Sequence, residues 1–153
     1  MIFKIIKKIK FENTTECIKF LEKKNFMISL WIKDIFKKKK NYKIKKPIIF
    51  YRLTLKQLGF QKPTTLSRIY KRIKKKYKLV KPEFALLLRL VYKEQPRGEW
   101  LRIATPMNSM IDSDGIPHLP KLGKALNRYF IETYWSYKKS IFYPHNEFVV
   151  IKK

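Results

Sequence analysis

The sequence predicts a single α+β domain, with short helices in the N-terminal part followed by a mostly antiparallel C-terminal sheet. Three observations carry this. The chain has 153 residues, of which 45% are hydrophobic, enough for one real core. Apolar residues recur at helical spacing before Pro96 and alternate like those of strands after it. Runs of helices followed by runs of strands are the mark of the α+β class. Residues 1–46 read as a basic helical segment and 47–153 as the α+β core of the same domain, with no internal repeat.

Each element has a local reason. Asn13 with Glu16 three residues on has the form of a capping box. It predicts a helix from Thr14 to Lys24 with Cys17, Phe20 and Leu21 on one face and Asn25 as its stop. Cys17 on that face reads as a buried core residue. Ser29 caps a second short helix carrying Trp31, Ile32, Ile35 and Phe36, and Lys37 to Lys40 read as its solvated end or a linker. Ile48 to Leu53 is β-rich and reads as a strand. Thr54 to Leu58 predicts one helical turn ended by Gly59. Pro63-Thr64-Thr65 starts a helix running from Thr65 to Lys78, and Pro82 opens another through Phe84, Leu87, Leu88 and Val91. Gly98 to Thr105 reads as a strand and Asp112-Ser113-Asp114-Gly115 as a turn. Tyr129 to Tyr137 favours β structure, and Glu147 to Lys152 is the last strand.

Several classes are excluded. No run of 18 apolar residues exists, so no transmembrane helix is expected. Met1 to Phe11 is interrupted by lysines and lacks the apolar stretch and cleavage site of a signal peptide. One cysteine cannot form an internal disulfide, and a reducing cytoplasm is the expected setting. Gly123-Lys124 lacks the rest of a P-loop, so nucleotide fingerprints are missing and no cofactor is expected. One Cys and two distant His supply no usual zinc site, and no metal is expected.

Charge is the strongest signal. There are 37 Lys and Arg against 11 Asp and Glu, a formal charge of +26. Most of the cations are Lys, and Lys, Ile, Phe and Tyr all have AT-rich codons. Asp, Glu and Asn share that codon bias and stay scarce, so the excess is specific to positive charge. A compact body this cationic repels itself unless a polyanion neutralises it. Nucleic acid is the commonest such partner, followed by anionic membrane.

On a helical wheel of Thr65 to Lys78, Leu66, Ile69, Tyr70, Ile73 and Tyr77 form one stripe. Arg68, Lys71, Arg72, Lys74, Lys75, Lys76 and Lys78 fill the remaining arc, and no acid interrupts them. Surface helices usually mix signs, so a single-sign face is better matched to phosphates than to water. These seven residues are the candidate nucleic-acid contacts, with Lys37 to Lys40 extending them. Thr54 to Gly59, the turn through Pro63 and the basic helix also have the outline of a helix-turn-helix with a very short first helix. Among the C-terminal aromatics, Tyr129, Tyr134, Trp135, Tyr137, Phe142 and Tyr143 are candidates for stacking on bases. Ile2, Ile5, Ile6 and Ile9 share a helical face opposite Lys4, Lys7 and Lys8, so residues 1–11 read either as an interfacial membrane helix or as a terminal element docked on the core.

Catalytic signals are sparse. Asp112, Asp114 and Gly115 depart from a calcium loop, because Gly stands fourth and not sixth. With His118 they are the candidates for a metal-dependent nuclease or hydrolase site. Ser109, Ser113 and Ser140 sit in no nucleophile elbow. No small-molecule substrate is identified.

Leu58-Gly59-Phe60, Ile69-Tyr70, Pro82-Glu83, Leu88-Arg89-Leu90, Gln95-Pro96, Gly98-Glu99-Trp100-Leu101 and Asp112 to Gly115 form a pattern over about two-thirds of the chain. In it the sequence resembles a group of small bacterial proteins without a settled function. The resemblance implies a small cytoplasmic domain and brings no catalytic or binding residue. The expectation from the residues is a non-catalytic nucleic-acid-binding protein, weakly sequence-specific, with RNA slightly favoured over DNA. The alternatives are the hydrolase, or a module that binds an acidic protein or membrane surface.

Overall fold

The structure is a computed structural model, and residues 2–153 are described. Along the chain run β1 (Ile2–Ile6), α1 (Thr14–Lys23), β2 (Met27–Ile28), α2 (Leu30–Ile35), β3 (Ile48–Thr54), β4 (Thr64–Thr65), α3 (Leu66–Lys76), β5 (Tyr77–Lys78), α4 (Pro82–Val91), β6 (Trp100–Ile103), β7 (His118–Ala125), β8 (Arg128–Trp135), β9 (Ile141–Phe142) and β10 (Glu147–Lys152). The class is α+β, a single small domain. Its helices are interleaved with strands, however, and the first described element is a strand.

The main sheet runs β1-β3-β10-β6-β7-β8-β2, with β5 also pairing β10. Pairing is antiparallel except between β10 and β6 and between β2 and β8. β4 and β9 form a separate two-stranded ribbon. Alternation along β10 sorts the core into two layers. Val149 packs with α1, α2 and α4 on one face, while Phe148 and Val150 pack with α3 on the other.

The helix starts follow their caps. The Asn13 side chain accepts from the Glu16 amide at 3.0 Å, and Glu16 accepts from the Glu12 amide at 3.0 Å. The Ser29 and Thr65 hydroxyls accept from the Ile32 and Arg68 amides at the starts of α2 and α3. Asn25, at φ +66°, ends the chain's path out of α1. The basic helix stops two residues before Lys78, because Tyr77 and Lys78 extend to pair with Lys152 and Ile151.

Two expectations are corrected, and one strand has no counterpart among those the sequence predicts. Residues 2–6 are a strand paired to β3 and not a membrane helix; Ile6 is buried while Ile2 and Ile5 are exposed. Met1 lies outside the described residues. Thr54 to Gly59 is a strand end and a turn, and β4 leads directly into α3, so no helix-turn-helix is formed. β7 has no clear signal in the sequence, because Pro120 and Gly123 within it and Pro117 just before it give the stretch the composition of a loop. Its ladder with β6 ends at Lys121, which leaves Pro120 just beyond it. Among the described residues no helix is long and apolar enough to cross a membrane.

Candidate nucleic-acid interface

α3 is held by its apolar stripe. Leu66, Ile69, Tyr70 and Ile73 are buried against Leu53, Phe148 and Val150. Such side chains contribute about 1.5–3 kcal/mol each. Like charges one turn apart cost only about 0.2–0.5 kcal/mol per pair. Packing therefore keeps the helix folded against its own charge.

The opposite face is wholly cationic. Arg68, Lys71, Arg72, Lys74, Lys75 and Lys76 are all exposed, and so is Lys78 on β5. At 100° per residue, Arg68, Lys71 and Lys75 form the outward ridge, Arg72 and Lys76 one flank, and Lys74 the other. Eleven residues give the face a length of about 17 Å. Among the described residues none of these cations pairs with a carboxylate; the acids pair elsewhere, Glu22 with Lys33, Glu94 with Lys4, and Glu99 and Glu147 with Arg52.

Arg72 differs from the rest. It donates to the Leu58 carbonyl at 2.7 Å and lies over the Phe60 ring at 4.6 Å, so its guanidinium clamps the turn before β4. Gly59 sits beneath it at φ +97°, and a Cβ there would stand 2.6 Å from the Arg72 Nη1 atom.

Tertiary pairing extends the strip at both ends. β10 brings exposed Lys152 and Lys153 to the C-terminal end, where Lys153 Nζ donates to the Lys74 carbonyl at 3.3 Å. At the other end the Leu66 and Ser67 amides donate to the Ser140 and Lys138 carbonyls, which sets exposed Lys138 and Lys139 nearby. Neither pair of lysines has a local signal linking it to α3. Lys37 to Lys40 do not join the strip. They follow α2, whose Ile32 and the adjoining Phe36 pack on the opposite face of the sheet.

The side of the sheet that carries α3 continues over β6, β7 and β8, and among the described residues no helix packs on it there. Trp100, Arg102, Lys121, Phe130 and Tyr134 lie there, alternating with Leu101, Leu122 and Ile131, which face the other layer. Of the six aromatics expected to stack, Tyr134 is on this face. Trp135, Tyr137 and Tyr143 are exposed, while Phe142 is buried. Tyr129 is half-buried over the Arg89 guanidinium and donates to the Lys93 carbonyl.

Asp112 and His118 are brought together, and Asp114 is not. His118 Nε2 lies 2.8 Å from Asp112 Oδ2, and His118 Nδ1 lies 2.9 Å from Thr133 Oγ1. The other Asp112 oxygen accepts from the Asp114 and Ile116 amides at 2.8 and 3.0 Å. The hydrogen bond from His118, with those amides, holds the Asp112 carboxyl below its ordinary range. Both side chains are fully buried, with Trp31 against the imidazole. Both Asp112 oxygens are engaged by His118 and by loop amides, His118 Nδ1 is engaged by Thr133 on β8, and the Asp114 side chain is exposed. Among the described residues no three His, Cys, Asp or Glu side chains converge as metal ligands would.

Two further polar clusters brace the fold. Arg52 binds Glu147 through two bonds, at 2.5 and 2.9 Å, and also reaches Glu99 and the Tyr92 hydroxyl. Burial raises the Tyr92 hydroxyl to about 12. Arg89, fully buried, donates to Gln95 and to the Tyr92, Gly123 and Phe130 carbonyls, fastening α4 to the β7–β8 hairpin. Burial lowers its guanidinium to about 10.

Neither the protein-family models nor the curated proteins nor the solved structures contain a match to this chain.

Proposed function

We propose that this protein binds nucleic acid without catalysis, holding the phosphate backbone along α3, with RNA favoured over DNA. The observation that supports this reading is the exposed cationic face of α3, none of whose cations pairs with a carboxylate among the described residues, while Glu22, Glu94, Glu99 and Glu147 pair with cations elsewhere. Phosphate oxygens accept from lysine and arginine without regard to base, so binding is weakly sequence-specific. The half-exposed aromatics beside α3 favour RNA, whose unpaired bases stack on such rings.

The test is fluorescence anisotropy with a labelled 12-nucleotide single-stranded RNA. Replacing Lys74, Lys75 and Lys76 together by Gln is expected to weaken binding by about tenfold or more at low salt. Unchanged affinity would remove α3 as the binding face.

A second reading draws on a groove of about 790 Å³ bounded by α1 and α4. Phe20 and Leu87 are part of its apolar lining, and Lys8, Lys10, Lys24 and Lys93 also line it. An acidic amphipathic segment of another protein matches that chemistry. Lys24→Glu with Lys93→Glu would then abolish binding of an acidic amphipathic peptide and leave RNA binding intact; retention of the peptide would exclude this reading.

A further inference from the structure

Beyond α3, and resting on the nucleic-acid reading, we propose that the uncovered sheet face of β6, β7 and β8 is a stacking platform for a single strand. One base lies on Trp100, a neighbouring base on Tyr134, and the intervening phosphate between Arg102 and Lys121.

The Trp100 ring packs closely against Gly123, its register partner on β7. A Cβ at Gly123 would stand 2.3 Å from the ring, so only glycine admits this position. Trp100 is 38% exposed, far more than a ring recruited only to fill a core. Phe130 lies 6.2 Å away at 53°. The Lys121 ammonium stands 4.8 Å from the Trp100 centroid and 5.8 Å from that of Tyr134. The Arg102 guanidinium stands 5.1 Å from Tyr134 and 5.3 Å from Phe142.

These two cations are poorly neutralised. Neither forms a salt bridge among the described residues, and the buried Arg102 Nε has no hydrogen-bond partner. Glu132 faces Lys121 across the ladder as the nearest acid, and no salt bridge joins them. Burial and the neighbouring Arg102 charge hold the Lys121 ammonium below its usual range, and burial holds the Glu132 carboxyl above its own. A phosphate between Arg102 and Lys121 relieves their repulsion and engages two half-buried donors.

The platform adjoins the basic strip. Phe142, beneath Arg102, belongs to the same core layer as α3. A cleft of about 340 Å³, lined by Tyr134, Trp135, Tyr137 and Ser140, lies beside the N-terminal end of α3. A single strand bound along α3 can therefore pass the N-terminal end of the helix, by Ser140, and reach the rings. A duplex keeps its bases stacked on one another and gains nothing from them, which makes preference for single strands the signature.

The experiment compares a 12-nucleotide oligouridine with a duplex of equal length, using wild type, Trp100→Leu and Lys121→Gln, each first checked for an unchanged thermal melt. Leucine keeps an apolar cover on Gly123, and Lys121→Gln is a second variant that leaves the ring in place. The expected result is tighter wild-type binding to the single strand and a loss of about tenfold in Trp100→Leu on the single strand alone. Lys121→Gln is expected to weaken the single strand by a smaller factor. Equal losses on both probes, or none on either in both variants, overturn the platform and leave the α3 reading standing. Absence of binding to both probes by the wild type at about 50 mM salt overturns the α3 reading and the platform with it.

Discussion

His118 Nε2 stands 2.8 Å from Asp112 Oδ2, with both side chains fully buried. The pair closes the loop from Ile111 to Pro117, which the Ile111–Pro117 bridge begins. His118→Ala removes a partner from a buried carboxylate and a ring from Trp31, at a cost of about 2 kcal/mol or more. Asp114→Ala keeps the amide that Asp112 accepts and leaves the thermal midpoint unchanged. Thermal unfolding of the two variants checks this; a large loss in Asp114→Ala together with an intact His118→Ala would contradict it.

The charge on α3 is unfavourable to the fold. Lys71→Gln with Lys75→Gln relieves several like-charge neighbours and raises stability by about 0.5–1 kcal/mol at low salt, while weakening RNA binding. Ile69→Ala and Ile73→Ala each cost about 2–4 kcal/mol, because they open the core beneath the helix. Urea unfolding beside anisotropy reads both effects. A destabilised Lys71/Lys75 variant would mean that these lysines hold the fold.

Acid should unfold the protein through a few identified carboxylates. Asp34 accepts from the Ser113 hydroxyl at 2.5 Å and its amide at 2.8 Å, and stands 3.1 Å from Lys37. These contacts lower its carboxyl from 3.8 to about 2. Asp112 is lowered by His118, and Glu94 by Lys4. Each folded value lies below the unfolded one, so the unfolded chain binds more protons in this range. The stabilisation is complete above about pH 5 and is lost as pH falls toward 2. Asp34→Asn therefore flattens the decline of the urea midpoint between about pH 4 and pH 2; an unchanged slope would dissociate Asp34 from acid unfolding.

What was legible in the sequence was local. The caps Asn13, Ser29 and Thr65 act over three residues, and they started helices where expected. The two-sidedness of α3 follows from a single period, and its buried and exposed residues sort as that period requires. The spacing of Ile2, Ile5, Ile6 and Ile9 also fits a helix, but pairing with β3 outweighs that spacing. The β7–β8 turn is formed by Leu126 and Asn127, both at positive φ, without the glycine that usually signals such a hairpin.

What was not legible depends on distant pairing. Lys152 and Lys153 join the basic strip only because β5 and β10 pair. Trp100, Lys121 and Phe130 share a face only because β6, β7 and β8 align in one register. Arg72 read as one more phosphate contact, but the turn at Gly59 brings the Leu58 carbonyl within its reach.

The most direct measurement is the salt dependence of binding to a labelled single-stranded RNA between 50 and 200 mM salt. With about five phosphates held along α3, the log–log slope should be near −3.5, and about −1.4 when Lys74, Lys75 and Lys76 are all Gln. A slope near zero, or a steep slope that the triple variant leaves unchanged, would contradict phosphate binding by this helix.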